Sequence, residues 1–382
     1  MARRPIILTV CAMLVAFAVA AAAASGRSHH THGRALSDTV FATGTGIFHT
    51  TATGAREAIS LPDDITALGS DIYVGFQNGV GPQGQASATG NLDSTVVEFD
   101  SSGHEVAQWD IAGKCDGLTA DPDTGEVIAT VNEDANSSLY TITPGAAAVH
   151  YHYAEPLPSN GGTDAISIYH GEVLISASAP GTTGAAAPQP TYPAVYRAKF
   201  DAASQTVILR GLFSDEARAR VANRPSDGGH RFVQLALTDP DSNEVVPEYA
   251  PRFGGDFMLT SQGDQQQIFV SGGERWHRDR DLSVLDLSHS VDDTAWPSSR
   301  DGALYTTDNG ADTIYKITGR FTRGSTLVAV TPCDQSNAPS TCPGPGFPAN
   351  YLGELNPDTG TIAQLQVDGP AFEPQGMLFL AP

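Results

Sequence analysis

The sequence predicts an all-β protein, a single β-propeller of six blades closed by its two ends, with seven blades as the alternative. Three observations carry this expectation. A loose unit of four short strands recurs along the chain, which is the first thing to look for in a sequence of 382 residues. The two ends supply complementary pieces of one more unit. Gly and Pro number 39 and 25 and are spread evenly, marking many tight turns, while helical periodicity is almost absent. Residues 214–223 are the one stretch that reads as a possible helix.

Each unit opens on an Asp and a short apolar strand, followed by alternating, β-rich strands. Asp64-Ile65-Thr66-Ala67 leads to Ile72–Phe76, Thr95–Phe99 and Val106–Trp109. Asp116-Gly117-Leu118-Thr119 leads to Val127–Thr130, Ser138–Ile142 and Val149–Tyr153. Asp164-Ala165-Ile166-Ser167 leads to Val173–Ser176, Ala194–Arg197 and Thr206–Leu209. The fourth unit starts at Asp241-Ser242-Asn243-Glu244 and continues through Phe257–Thr260, Gln267–Val270 and Leu282–Leu285; a register starting at Asp256 leaves it one strand short. The fifth runs from Asp293-Thr294-Ala295-Trp296 through Ala303–Thr306 to Thr313–Lys316, with Tyr351–Glu354 and Thr361–Gln364 as candidate outer strands.

At the C-terminus, Gln375–Phe379 reads as a first strand with nothing after it. Near the N-terminus, Val40–Thr43, Ile47–Thr50 and Glu57–Ser60 read as later strands with no first strand. Pairing them makes the sixth blade and removes the sheet edge that an open ring would expose. The segments Asp121-Pro122-Asp123-Thr124-Gly125 and Asn356-Pro357-Asp358-Thr359-Gly360 have the composition of tight turns between neighbouring strands.

Before the repeats, Arg3 and Arg4 precede an apolar run from Ile6 to Ala24, and Ala22-Ala23-Ala24 precedes Ser25 as a cleavage site. Residues 1–24 are thus expected to be a signal peptide, with a retained anchor as the competing view because the run nearly spans a bilayer. Residues 25–37 are expected to be disordered, and residues 38–382 to form one domain. The protein is expected to be secreted or extracytoplasmic, with no membrane insertion once the signal is removed. Cysteine use fits export. Cys333 and Cys342 bracket a Pro/Gly-rich loop, where a disulfide would stabilise by roughly 2–3 kcal/mol on the chain-entropy model. Cys115 is then left as a buried, inert thiol.

The formal charge of −22 excludes binding of nucleic acid, which needs a clustered basic face. Several motif searches fail. Gly79-Val80-Gly81-Pro82-Gln83-Gly84 matches a dinucleotide fingerprint but precedes no helix, so no nucleotide cofactor is expected. No P-loop, zincin or nucleophile-elbow motif occurs. His29, His30 and His32 lie in the expected frayed terminus, and His150 and His152 share one face of an outer strand. Arg275-Trp276-His277-Arg278-Asp279-Arg280 is the one basic-aromatic run.

The constellation that could carry function is the set of first positions. If each opens the innermost strand of its blade, Asp64, Asp116, Asp164, Asp241 and Asp293, with Gln375 in the sixth place, meet at one mouth of the channel. Carboxylates about 8 Å apart repel by roughly 2 kcal/mol per pair at an effective dielectric near 20. Raised pKa values, backbone N–H partners from the neighbouring blade or a bound cation must offset this. Oxygen-rich donors suit Ca²⁺ or Mg²⁺, and Asn132, Asn243 and Asn309 could add neutral oxygens. The competing reading has each Asp capping its inter-blade connection. The insertions 78–94, 179–193 and 212–240 are expected at the same end, where loops on a rigid scaffold gather around a ligand.

The repeat rhythm, with Cys115-Asp116-Gly117-Leu118 and Pro374-Gln375-Gly376-Met377, resembles the secreted six-bladed propellers of the gluconolactonase-like and NHL-repeat families from about Ser37 to the C-terminus. The resemblance implies a divalent-metal-dependent lactone or ester hydrolase, in which a cation polarises the carbonyl and a carboxylate activates water. Those enzymes use a mixed Glu/Asn/Asp ligand set, whereas this chain offers an almost all-Asp ring. The first expectation is therefore a binding or interaction scaffold for a small molecule or an extracellular protein, with the hydrolase as the alternative.

Overall fold

The computed structural model describes residues 35–51, 54–158, 161–178, 192–223, 231–272, 281–332 and 350–382. The signal segment, the N-terminal histidines, the run Arg275–Arg280 and the Cys333–Cys342 pair lie outside the described residues. Among the described residues the named elements are all β-strands, and no helix is long and apolar enough to cross a membrane.

Six blades surround a central channel. Blade 1 is the meander Pro62–Leu68, Asp71–Phe76, Asp93–Phe99, Glu105–Ala112. Blade 2 is Cys115–Asp121, Glu126–Val131, Ser138–Ile142, Val149–Tyr153, and blade 3 is Ile166–Tyr169, Glu172–Ser176, Pro193–Asp201, Thr206–Ser214. Their outer strands pair in parallel through His152–Thr206 and Tyr153–Val207. Blade 4 is Pro240–Val245, Phe257–Ser261, Gln266–Ser271, Asp281–Asp286, so the register from Asp241 holds and the one from Asp256 does not. The first strands of successive blades contact one another in one closed cycle, with Met377–Leu380 between Val291–Ala295 and Pro62–Leu68.

Each crevice between blades holds its own apolar cluster, which explains why the inner strands are apolar on both faces. Tyr73, Val96 and Trp109 of blade 1 pack on Val127, Ala129 and Val131 of blade 2. Phe257, Leu259 and Ile268 of blade 4 pack on Leu174 and Val195 of blade 3.

Blades 5 and 6 correct the sequence expectation. Blade 5 consists of Val291–Ala295, Thr326–Val330, Tyr351–Leu355 and Ile362–Gln364. Between its first two strands the chain leaves, builds the hairpin Ala303–Asp308/Thr313–Thr318 in blade 6, and returns. The N- and C-terminal strands therefore do not pair with each other. Met377–Leu380 pairs with Ala303–Asp308, Leu36–Thr43 pairs with Thr313–Thr318, and the hairpin sits between them. Both ends of the chain still close the same blade. The N-terminal strand begins at Leu36, two residues before the expected boundary, and Val367–Asp368 pairs alongside it.

Two further expectations fail. Phe48–Thr50 and Arg56–Ala58 form a separate two-stranded hairpin instead of blade strands. The possible helix at 214–223 is a strand, Arg218–Val221, which with Phe232–Gln234 extends the outer edge of blade 4. The apolar residues Ala217, Ala219 and Val221 alternate with Glu216, Arg218 and Arg220, a period of two that suits a strand.

Candidate functional site: an acidic ring at the channel mouth

The six inner strands share one local irregularity. At the mouth, two residues of each inner strand stand against one residue of the second strand, the geometry of a β-bulge. The pairs are Asp63-Asp64 against Gly75, Asp116-Gly117 against Thr130, Asp241-Ser242 against Thr260, and Asp292-Asp293 against Ala329. In blade 3 the backbone bonds Asp164 N–H to Ser176 O and Ser176 N–H to Ala165 O give the same two-against-one count. In blade 6, Gln375 N–H to Thr307 O and Thr307 N–H to Gly376 O complete the set.

The first bulge residue is therefore Asp63, Asp116, Asp164, Asp241, Asp292 and Gln375. For Asp116, Asp164, Asp241 and Gln375 these are the positions expected from sequence. In blades 1 and 5 the ring member is one residue earlier, Asp63 and Asp292 instead of Asp64 and Asp293. Those second aspartates have a different task. Asp64 accepts its own Ile65 N–H at 2.7 Å and Leu118 N–H of blade 2 at 2.6 Å. Asp293 accepts Thr294 N–H at 2.6 Å and Met377 N–H of blade 6 at 2.5 Å.

The other four junctions are tied by hydroxyls. Thr130 donates to Asp164 O at 2.6 Å, Ser176 to Asp241 O at 2.6 Å, and Thr307 to Asp63 O at 2.5 Å. Ser242 donates to Asp292 O. Blades 1 and 5 place Gly75 and Ala329 where blades 2, 3 and 6 have a hydroxyl, and there a carboxylate does the tying. Capping of the inter-blade connection thus accounts for Asp64 and Asp293, and Asp116 Oδ1 also accepts Gln77 Nε2 of blade 1 at 3.2 Å.

Such junctions are tight. A Cβ on Gly117 would stand 2.5 Å from Thr130 Oγ1 and 2.6 Å from Asp164 O, and one on Gly376 would strike the carbonyl of Asp63. Gly117→Val is expected to lower stability by about 1–3 kcal/mol through overpacking. Gly310→Ala, whose Cβ meets nothing nearer than 3.7 Å, should not. Equal melting temperatures for the two variants in calorimetry would show that the junction yields.

Among the described residues, the ring opens on a cavity of about 510 Å³ lined by nine carboxylates, Asp63, Asp64, Asp116, Glu133, Asp164, Asp241, Glu244, Asp292 and Asp293, and by one cation, Lys114. Burial, reinforced by neighbouring carboxylates, holds Asp63, Asp64, Asp116, Asp164, Asp241 and Asp293 well above the usual carboxylate range. Burial and then Asp64 push Glu244 up to about 8. Lys114 opposes this locally. Its Nζ lies 2.7 Å from Asp116 Oδ1 and also bonds Glu133. Burial pulls its ammonium down, but Asp116, Glu133 and Asp63 outweigh burial and its pKa is raised.

Among the described residues, three oxygens of cavity-lining side chains are buried without a donor: Asp116 Oδ2, Asn243 Oδ1 and Gln375 Oε1. Asn243 is 2% exposed and spends its amide N–H on Ala165 O at 2.6 Å. Asn132 and Asn309 do not reach this cavity. Asn132 accepts Lys114 N–H at 2.9 Å and lines a second cavity of about 730 Å³ with Ser138, His150 and His152. There His150 stacks on Tyr140 at 4.2 Å and bonds Ser138 Oγ at 2.8 Å. Asn309 lies in the turn between the two strands of the blade 6 hairpin. Cys115, buried at 1% exposure beneath the ring, has its thiol pKa raised by burial.

The resemblance implies a divalent metal, and Ca²⁺, which the oxygen donors suit, takes six to eight oxygens at about 2.3–2.6 Å. The donors here are all oxygen, which suits a hard cation. Among the described residues, however, no three His, Cys, Asp or Glu side chains converge on a common point. The side chains as they stand do not fit a resident divalent metal, and no hydrolytic step follows through one.

No family model matches the chain, and no curated protein matches it. Solved propeller structures are similar to it. The periplasmic gluconolactonase PpgL of Pseudomonas aeruginosa is 13% identical over 91% of this chain and 99% of its own, with a TM-score of 0.46. The β-propeller domain of Myceliophteria thermophila Swd1 is 12% identical over 82% of this chain and 75% of its own, with a TM-score of 0.39. A protein of unknown function from Bacteroides caccae is 11% identical over 92% of this chain and 100% of its own, with a TM-score of 0.43. These likenesses concern the backbone; the ring and its junctions are read from this chain alone.

Proposed function

We propose that the protein is an extracytoplasmic binding propeller that takes a cation into its acidic mouth. The observation that supports this most is the recurrence of an Asp at the first bulge position of five blades, with their side chains turned to one cavity. Bulges commonly re-aim side chains next to functional sites, and these five line the cavity, with Asp116 also accepting Gln77 Nε2 of blade 1 at 3.2 Å. A cation would replace protons that the ring otherwise holds and would supply the donors or charge that its buried oxygens lack.

The mature protein, stripped with chelator and dialysed at pH 8, is expected to bind at least one inorganic or amine cation at one equivalent. The bound form should melt several degrees higher, since a ligand at about 100 times its Kd contributes about 2.7 kcal/mol. Asp164→Asn should weaken that binding at least tenfold in calorimetry. Absence of saturable binding for metal ions and amines alike would sink the proposal. The lactone or ester hydrolase reading is carried by the same titration, as hydrolysis that appears only with Ca²⁺. Mature protein whose first residue is Ser25 would support the export reading.

A further inference from the structure

The second cavity, of about 730 Å³, is lined by Ala112 from blade 1 and by Ser138, His150 and His152 from blade 2. Among the described residues it shares no lining side chain with the acidic mouth. Pairing of Ser138–Ile142 with Val149–Tyr153 sets Ser138 opposite His152 and Tyr140 opposite His150, so all four side chains lie on one face of the blade. The ring centroids of His150 and His152 are 4.1 Å apart, with the planes at 55°. His150 is held from two sides. Its ring stacks on Tyr140 at 4.2 Å with the planes 4° apart, and its Nε2 bonds Ser138 Oγ at 2.8 Å. Tyr140 is itself pinned, because its hydroxyl accepts Ala112 N–H of blade 1 at 3.2 Å.

A histidine that only fills a crevice needs contacts, not a fixed tautomer. With Ser138 accepting from Nε2–H, the lone pair of His150 lies at Nδ1. In metal sites the ring nitrogen that does not bind is tied in this way, which orients the imidazole and raises its basicity. His152 adds a second imidazole from an exposed position, so the pair can be reached from solvent. Among the described residues the lining holds no Lys or Arg to repel a cation, and it includes one carboxylate, the exposed Glu155. The donor set selects the metal. Imidazole suits Zn²⁺, Ni²⁺ and Cu²⁺, with Cu²⁺ first in the general order of affinity, whereas Ca²⁺ and Mg²⁺ take oxygen.

We propose that His150 and His152 bind one late first-row divalent metal, Cu²⁺ ahead of Zn²⁺, with Ser138 as the positioning residue for His150. The site has two protein nitrogens, and among the described residues no third His, Cys, Asp or Glu joins them. The other coordination positions are open to water or to a small ligand in the cavity. The metal therefore exchanges with solution instead of being closed in by four side chains, as a structural metal is. This site is independent of the mouth, whose donors are oxygens.

The test is titration of the full mature chain with CuCl₂, read by calorimetry and electron paramagnetic resonance, with CaCl₂ in excess to fill oxygen sites. His29→Ala, His30→Ala and His32→Ala are introduced throughout, because those side chains are a competing set of imidazoles. The expected result is one equivalent of Cu²⁺ whose spectrum carries nitrogen hyperfine coupling, and weaker binding of Zn²⁺ to the same pair. His150→Gln and His152→Gln should each weaken Cu²⁺ at least tenfold. Ser138→Ala should weaken it about tenfold with both imidazoles in place, the low end of what losing such an outer hydrogen bond costs a metal site. His152 is exposed, so His152→Gln remains informative if His150→Gln fails to fold. A spectrum with oxygen ligands alone, or parent affinity in His152→Gln, overturns the inference. Parent affinity in Ser138→Ala overturns the positioning role. Nitrogen coupling cannot come from the carboxylates of the mouth, so neither outcome depends on what the mouth binds.

Discussion

A chain ending at Glu373 is expected to lose the single cooperative unfolding transition of the full-length protein. The missing residues include Met377–Leu380, the innermost strand of blade 6, which pairs along Ala303–Asp308. They also include Met377 N–H, which satisfies Asp293, and Gly376, which seats against Asp63. Their removal opens the ring between blades 5 and 1, exposes a strand edge, and leaves Asp293 short of one partner. Differential scanning calorimetry should show a broad transition beginning at least ~10 °C lower, as loss of several kcal/mol from a chain of this size implies. A truncated chain melting in one sharp transition within a degree or two of full length would refute closure by this strand.

Stability should rise as the solution is acidified from pH 9 to pH 5. Six aspartates of the channel have pKa values held well above the ordinary range, Glu244 is pushed to about 8, and Asp256, buried beside Glu248, to about 7. A carboxyl whose folded pKa exceeds its unfolded one binds its proton more tightly when folded. Its contribution is complete below the unfolded value near 4 and is lost as pH climbs through the folded value. For Glu244 and Asp256 that window runs from about 4 to about 8 and about 7 respectively. The melting temperature at pH 5 should exceed that at pH 9 by at least ~5 °C, a modest figure because several of these groups partly face the cavity. Combined Asp63→Asn and Asp241→Asn substitution should flatten the profile. A melting temperature that peaks at pH 8 or above would contradict the raised carboxyls.

The repeat was legible because it is written in period-two alternation and in the Asp that opens each unit. The mouth of the channel followed from placing those aspartates on inner strands. What the spacing could not show was which member of an Asp-Asp doublet lies first in a bulge. Asp63-Asp64 and Asp292-Asp293 look alike in sequence, and only pairing against Gly75 and Ala329 separates the ring member from the junction tie. The available signal was the missing hydroxyl on the second strand, which a comparison of Gly75 with Thr130 and Ser176 exposes.

Lys114 and Glu133 were missed because they fall outside the opening tetrapeptide of blade 2, one before Cys115 and one after Asn132. Nothing in period or composition joins them; the bulge and the following turn do. Glu244, three residues after Asp241, lines the channel, which its place in an alternating strand does not signal. The exchange between blades 5 and 6 was invisible for a different reason. Consecutive strands usually neighbour one another in space, so the sequence predicts that Ala303–Thr306 continues the blade opened by Asp293.

That exchange has a mechanical consequence. Leu36–Thr43 and Met377–Leu380 flank one hairpin, and the chain on either side of the hairpin belongs to blade 5. Tension applied between the two ends of the propeller therefore loads blade 6 from both sides of the same hairpin. Peeling either terminal strand leaves that hairpin joined by the chain to the first two strands of blade 5, which pair with each other, so the two blades resist extension as one clasp. Force spectroscopy should register this clasp as the highest rupture event, with blades 1–4 unravelling only after it gives way.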